Sequence, residues 1–120
     1  MNLNEPVAQG TFELTSTIVE EGQSTLSFEG KLPNFGMVWA THTLQVGGES
    51  RISGTLVGNG RALNDEGDML ASVISGLWSR QKEILHLTTL DQLNTGDQVL
   101  VRCEVNLRTK QASVTVFEID

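Results

Sequence analysis

Residues 97–107, with the sequence DQVLVRCEVNL, decide the fold of this chain. From Val99 to Leu107 every second residue is apolar, and the residues between them are mostly polar. A period of two with one apolar face is typical of a β-strand that packs on one side and faces water on the other. The short polar turn at residues 108–110 leads into a further predicted strand, and such a short link makes the two strands antiparallel neighbours.

The same rhythm extends over the rest of the chain. Short runs of Val, Ile, Leu, Thr and Phe alternate with polar turns about every ten residues, and most of these turns contain Gly. The predicted strands span residues 10–20, 24–31, 36–47, 50–63, 67–79, 83–91, 97–107 and 111–119. In the first strand one face is expected to carry Phe12, Leu14, Ser16 and Ile18. We predict an all-β fold, a single antiparallel meander closing into a roughly eight-stranded barrel, because closure removes exposed edges.

The length of the chain fits one domain. A chain of 120 residues is expected to form a single core that buries roughly two-thirds of its unfolded surface. We predict an N-terminal arm at residues 1–9 and a single β-barrel domain at residues 10–120. No internal repeat or low-complexity tract divides this domain.

Residues 66–80 fit a second interpretation. Apolar residues recur there at helical spacing, and Asn64 is a suitable helix cap. Gly67, Gly76 and the β-branched pair at residues 73–74 are poor or middling helix formers, so a strand is favoured. A helix at 66–80 would instead give an α+β, hotdog-like fold.

Composition excludes several classes of partner. The net charge is −7, and residues 1–50 carry six acidic side chains against the single base Lys31. Nucleic acids and anionic membrane surfaces attract Lys and Arg, so neither is an expected partner. No apolar run approaches the ~20 residues of a spanning helix, and the N-terminus does not resemble a signal peptide. Cys103 is the only cysteine, which suits a reducing compartment, and we predict a cytoplasmic location.

Three candidate ligand-binding residues lie in or near apolar segments. His42 shares the apolar face of the third strand, where an imidazole could orient a ligand or move a proton. The alternative is a buried histidine satisfied by a neighbouring hydroxyl. Trp39 and Trp78 are the only tryptophans, and each either lines a ligand cavity or fills ordinary core or interface space.

The other three candidates are His86, Arg102 and Glu104. Arg102 and Glu104 lie on the strand face opposite Cys103, either as a solvated charge pair or as a polar anchor in the lumen. A register shift of one residue decides between these interpretations. Cys103 itself is expected to be a buried structural residue. No metal-ligand spacing accompanies His42 or His86, so neither a metal nor a cofactor is expected.

The region from Gly54 to Arg80 carries a resemblance of architecture. Its Gly-punctuated segments resemble the hairpins of small eight-stranded barrels, the calycin group and the allene-oxide-cyclase-like barrels: Gly54…Gly58-Asn59-Gly60, Asn64-Asp65-Glu66-Gly67 and Gly76-Leu77-Trp78. The resemblance covers about the last two-thirds of the chain and includes no family-specific residue set, so no functional residue is carried over. It implies a lumen for a small apolar molecule and, in some relatives, cyclase or isomerase activity.

A second resemblance belongs to the helical alternative. Residues 67–72, followed by strands and by Gly96-Asp97, are similar to hotdog-fold acyl thioesterases. The His-Gly-Gly that usually precedes the helix is absent, and the chain ends one strand early. Acyl thioesterase activity is therefore expected only if residues 66–80 are helical.

The predicted function is non-covalent binding of a small, largely apolar ligand inside the barrel, because barrel mouths are frequent ligand sites. One alternative is a cyclase or isomerase of small hydrophobic substrates that uses His42, Arg102 or Glu104. Another is an oligomerising interaction module with contacts on the outer side of the third strand, at Met37, Trp39 and Thr41. Binding is favoured over catalysis, and a homo-oligomer is compatible with each interpretation.

Overall fold

Eight antiparallel strands form a closed barrel in the computed structural model, which describes residues 3, 5–49 and 51–119. The strands are β1 (Ala8–Glu20), β2 (Gln23–Leu32), β3 (Gly36–Val46), β4 (Ser53–Leu63), β5 (Met69–Gln81), β6 (Ile84–Leu93), β7 (Gln98–Asn106) and β8 (Gln111–Glu118). Each strand pairs with its sequence neighbours, and β8 pairs with β1. The predicted all-β barrel is confirmed. The described part of the chain contains no helix, and so no helix that could cross a membrane.

The helical alternative for residues 66–80 is wrong. β5 pairs with both β4 and β6, which satisfies its backbone from either side. Residues 73, 75, 77 and 79 are exposed whereas Ile74, Gly76 and Trp78 between them are not, a period of two that differs from the 3.6-residue period of a helix. The Asn64 side chain does not cap a helix, because its Oδ1 accepts the amides of Glu66 and Asp68 within the β4–β5 turn. A hotdog fold requires that helix, so the hotdog alternative and the acyl thioesterase interpretation that depends on it are rejected.

The N-terminal boundary of the barrel lies earlier than predicted. β1 begins at Ala8, which lies opposite Val116, and the amide of Val7 also donates to the Val116 carbonyl oxygen at 2.8 Å. Part of the predicted arm at residues 1–9 therefore belongs to the sheet. Residues 1, 2 and 4 of that arm lie outside the described residues.

A β-bulge in β1 changes which side chains face the lumen. The register shifts between Leu14 and Ser16. Phe12 and Leu14 are buried as expected, but Ser16 and Ile18 do not continue their face, and Ile18 is 56 % exposed. The expectation of one continuous face was wrong because the extra residue reverses the alternation beyond it.

The stagger of the strands sets the width of the interior. Starting at Ala8 and stepping to the opposed residue on each neighbouring strand in turn, the path returns to β1 at Val19. The stagger around the barrel is therefore eleven residues along β1, a count that includes the bulge. Eight strands leave an interior just wide enough for side chains or one small ligand. Apolar side chains fill its middle, where Leu56 and Val105 are 2 % and 0 % exposed.

The barrel has two ends, which carry different turns. The upper end comprises residues 33–35, 64–68 and 94–97, and the lower end comprises residues 21–22, 47–49, 51–52, 82–83 and 107–110. Each end opens into its own part of the lumen, the upper chamber and the lower chamber.

Candidate functional site

The upper chamber consists of two adjoining cavities of about 70 Å³ each. Almost all of its surface is carbon, and all eight strands contribute lining residues. The residues that line both cavities are Leu32, Val38, Ala40, Ile74, Asp91, Val101 and Val116. Small residues on β3 and β4 leave this space open: a Cβ added at Gly60 would lie 2.6 Å from Ser72 Oγ and 3.6 Å from Ile74 Cδ1.

His42 lines the upper chamber from β3. Its side chain is buried, and its ring forms a T-shaped pair with the ring of Phe28 at a centroid distance of 5.5 Å. Burial lowers the pKa of His42 to about 4, because the charged imidazolium is poorly solvated there. The imidazole is therefore neutral at pH 7, and its buried Nδ1 has no hydrogen-bond partner among the described residues.

Asp91 on β6 is a functional candidate that the sequence analysis missed. It lines both cavities, and Thr89 Oγ1 donates a 2.7 Å hydrogen bond to Asp91 Oδ1. Burial raises the pKa of Asp91 to about 6, although the Thr89 hydrogen bond acts in the opposite direction. The signal was present in the alternation of β6, since residues 85, 87, 89 and 91 share the inward face.

Two further polar residues border the upper chamber. Arg61 lines its outer cavity, and one guanidinium nitrogen, Nη1, donates to the Gly60 carbonyl oxygen at 2.7 Å. Cys103 lines the inner cavity. Burial, and secondarily the nearby Glu104 charge, raise the pKa of the Cys103 thiol to about 12, so it stays protonated and is a poor nucleophile. The expectation that Cys103 is a structural residue fits this setting.

Trp78 faces inward in a different part of the barrel. It lines the lower chamber, a cavity of about 360 Å³ that, within the described part of the chain, shares no lining residue with the upper chamber. Its indole Nε1 donates to the Gln45 carbonyl oxygen at 2.9 Å, which fixes the ring against β3. His42 and Trp78 therefore belong to separate sites.

The other four candidate residues lie on the outside of the barrel. Trp39 is 38 % exposed and donates from Nε1 to Glu29 Oε1 at 3.1 Å. His86 lies opposite Glu104 across β6 and β7, and all three of His86, Arg102 and Glu104 are exposed. The lumen interpretation of Arg102 and Glu104 is wrong, because the inward face of β7 carries the apolar residues and Cys103. These three residues line a shallow outer depression of about 250 Å³ instead.

Apolar residues also occur on the outer surface. Val57, Val73 and Leu77 are more than half exposed on β4 and β5. On β3, Trp39 lies outside with Met37 and Thr41, as the interaction-module hypothesis requires. Assembly into an oligomer stays a prediction.

Within the described residues, no group of three or more His, Cys, Asp or Glu side chains is placed to hold a metal ion. The chain matches no protein-family model, no curated protein and no solved structure. The resemblance to calycin and allene-oxide-cyclase-like barrels stays a prediction.

Proposed function

We propose that this protein binds a small, largely apolar molecule in the upper chamber. The observation that supports the proposal is the unpartnered Nδ1 of His42 in a carbon-lined cavity. Nearly all buried polar groups in proteins have a hydrogen-bond partner. We therefore expect a ligand or an ordered water to form a hydrogen bond with His42 Nδ1. A neutral imidazole can donate or accept at Nδ1, depending on its tautomer.

The size of the upper chamber limits the ligand. Pockets for drug-sized molecules are usually ~300–1,000 Å³, whereas a cavity of ~150 Å³ lined by Leu, Ile and Phe holds benzene. The two cavities of about 70 Å³ adjoin one another and fit that smaller scale. The ligand class is therefore a single ring or short chain with one polar substituent, and phenol is a suitable probe.

Calorimetric titration with phenol and with benzene tests this proposal. We expect phenol to bind more tightly than benzene, and His42→Leu to remove that preference because it removes the polar partner. Ala40→Leu should abolish binding of both probes by filling the shared wall of the cavities. Thr41→Leu is the matched control, since it adds an apolar side chain on the outer face of the same strand. Wild-type affinity in Ala40→Leu would place binding elsewhere and reject the proposal.

Asp91 supports a second candidate function, an isomerase or cyclase. General acid–base catalysis is most efficient when the pKa of the catalytic group is near the working pH, and the pKa of Asp91 is about 6. Arg102 and Glu104 lie outside the barrel, so a substrate in the upper chamber would meet His42 and Asp91 instead. Proton abstraction beside a carbonyl is the simplest such step.

Deuterium exchange at the α-carbon of cyclohexanone in D₂O, followed by NMR, tests this chemistry. We expect faster exchange with the wild-type protein than with Asp91→Asn, which cannot act as a base. Phenol binding by Asp91→Asn, measured in parallel, shows whether the chamber remains intact. Equal exchange rates for the two proteins would reject catalysis by Asp91.

A further inference from the structure

The lower chamber is a second cavity with its own lining and its own entrance. Its volume of about 360 Å³ falls within the ~300–1,000 Å³ range of small-molecule pockets. Its floor is apolar and includes Leu26, Leu44 and Leu85 beside the ring of Trp78. A hydrocarbon tail placed there would lose contact with water over most of its length.

A packed layer separates the two chambers. Along β7 and the turn that follows, Cys103 lines the upper chamber and Leu107 lines the lower chamber. Val105 lies between them, is 0 % exposed and lines neither chamber. Leu56 on β4 is likewise buried, at 2 % exposure, and lines neither chamber. A ligand in the lower chamber would therefore not reach His42 or Asp91.

Two arginines stand at the rim of the lower chamber. Arg80 is the penultimate residue of β5, and its amide donates to the Ile52 carbonyl oxygen at 2.8 Å, which ties the loop that carries Arg51 to the same rim. One guanidinium nitrogen of Arg80 donates to the Lys82 carbonyl oxygen at 2.8 Å and so orients the group. The single salt bridge within the described residues joins Arg108 to Glu83 and involves neither rim arginine.

The charges at this rim are unusual for the chain. The protein carries 15 acidic and 8 basic side chains, yet two of the three charged residues found to line this cavity are arginines. Neighbouring like charges repel, and a bound anion would offset that repulsion. Among the described residues that line the cavity, Glu20 is the one carboxylate, and its Oε1 accepts a hydrogen bond from Gln23 Nε2 at 3.1 Å.

We propose that the lower chamber binds a single-tailed anionic amphiphile, with its carboxylate on Arg51 and Arg80 and its tail on the apolar floor beside Trp78. Guanidinium groups match carboxylates in both charge and hydrogen-bond geometry. The proposal goes beyond ligand binding in the upper chamber, because the two chambers share no lining residue.

Calorimetric titration with decanoate, at concentrations below micelle formation, tests the site. Decanol and decyltrimethylammonium serve as neutral and cationic probes of equal tail length. We expect decanoate to bind most tightly and its affinity to fall as ionic strength rises. Octanoate should bind about fifteenfold more weakly than decanoate, since each buried methylene contributes about fourfold. Equal affinity for decanoate and decanol would overturn the role assigned to the arginines.

Charge-removing variants locate the head group. Arg51→Gln and Arg80→Gln should each weaken decanoate binding about threefold, because both arginines are solvent-exposed. Arg108→Gln removes the same charge from the same end of the barrel, outside the chamber lining, and should leave the affinity unchanged. A double Arg51→Gln, Arg80→Gln variant that binds decanoate as tightly as Arg108→Gln does would overturn the proposal. Phenol tests the upper chamber separately, so either proposal can fail without the other.

Discussion

His42 and Asp91 share one apolar cavity, which affects their ionisation in opposite ways. Burial disfavours the charged form of each group, so the pKa of the histidine falls to about 4 and that of the aspartate rises to about 6. Both side chains are therefore uncharged near pH 5. A neutral pair suits the binding of an uncharged ligand, and ionisation of Asp91 above pH 6 places a negative charge on the cavity wall.

These two pKa shifts predict opposing effects of pH on stability. The pKa of an unfolded aspartate is 3.8, whereas folded Asp91 keeps its proton to about pH 6, so the free energy of unfolding falls as pH rises between them. The pKa of an unfolded histidine is 6.5, whereas folded His42 stays unprotonated down to about pH 4. The unfolded state therefore binds more protons between these values, and the contribution of His42 to the free energy of unfolding falls as pH drops. Each effect amounts to about 3 kcal/mol over its window.

Single variants separate the two contributions. His42→Leu should lose stability as pH rises from 4 to 6, and Asp91→Asn should gain stability over the same range. In the wild-type protein the two slopes largely cancel. Urea unfolding at a series of pH values measures this, and the double variant provides the baseline for all other titrating groups. Parallel profiles for the two single variants would contradict the assignment.

At the scale of elements, β4 is shaped by its close neighbours. Its inward face contains Gly54, Gly58 and Gly60, and its pairing with β3 and β5 has no register shift. The strand contains no bulge, and its glycines allow neighbouring atoms to approach the backbone closely. A Cβ added at Gly54 would overlap the Gln45 carbonyl oxygen and lie 2.8 Å from Trp78 Nε1. The absence of a side chain there keeps the Trp78–Gln45 hydrogen bond in place.

Gly54→Ala should destabilise the barrel by about 1–3 kcal/mol, because the overlapping oxygen belongs to the backbone and cannot move aside cheaply. Thermal unfolding followed by circular dichroism measures the change. Thr55→Ala, at an exposed position on the same strand, is the control and should change stability by at most about 0.5 kcal/mol. Equal stability of the two variants would show that β4 can shift to accept the extra carbon.

On the scale of the whole molecule, the eight described strands form one continuous sheet that closes on itself. β1 pairs with β8 over residues 8–13 and 111–116, so the first and last strands close the ring. We expect the backbone amides that join β1 to β8 to exchange with deuterium only on global unfolding, at the same free energy as the amides that join β4 to β5. NMR-detected hydrogen exchange tests this. Exchange of β1 and β8 at a distinctly lower free energy would mean that the seam opens on its own.

The strand pattern was predictable because each strand is a local alternation of apolar and polar residues. β3 and β7 face inward as their patterns indicate, so His42 was placed on the lumen side from the sequence. The face of the far half of β1 was not predictable, since a bulge has no clear signature in a run such as Thr15-Ser16-Thr17. Residues 66–80 were ambiguous because their apolar positions fit both the helical and the strand period. They form a strand because β4 and β6 hydrogen-bond to β5 on its two sides.

By itself, the sequence determined the eight-stranded meander, its turns and the inward position of His42, because these depend on contacts between near neighbours in the chain. The tertiary structure alone decided which side chains meet across the lumen. Asp91 and His42 lie on β6 and β3, and Arg51 and Arg80 lie on different hairpins. Their meeting depends on the stagger of all eight strands and on the packed layer that divides the lumen. Those features arise only when the barrel closes.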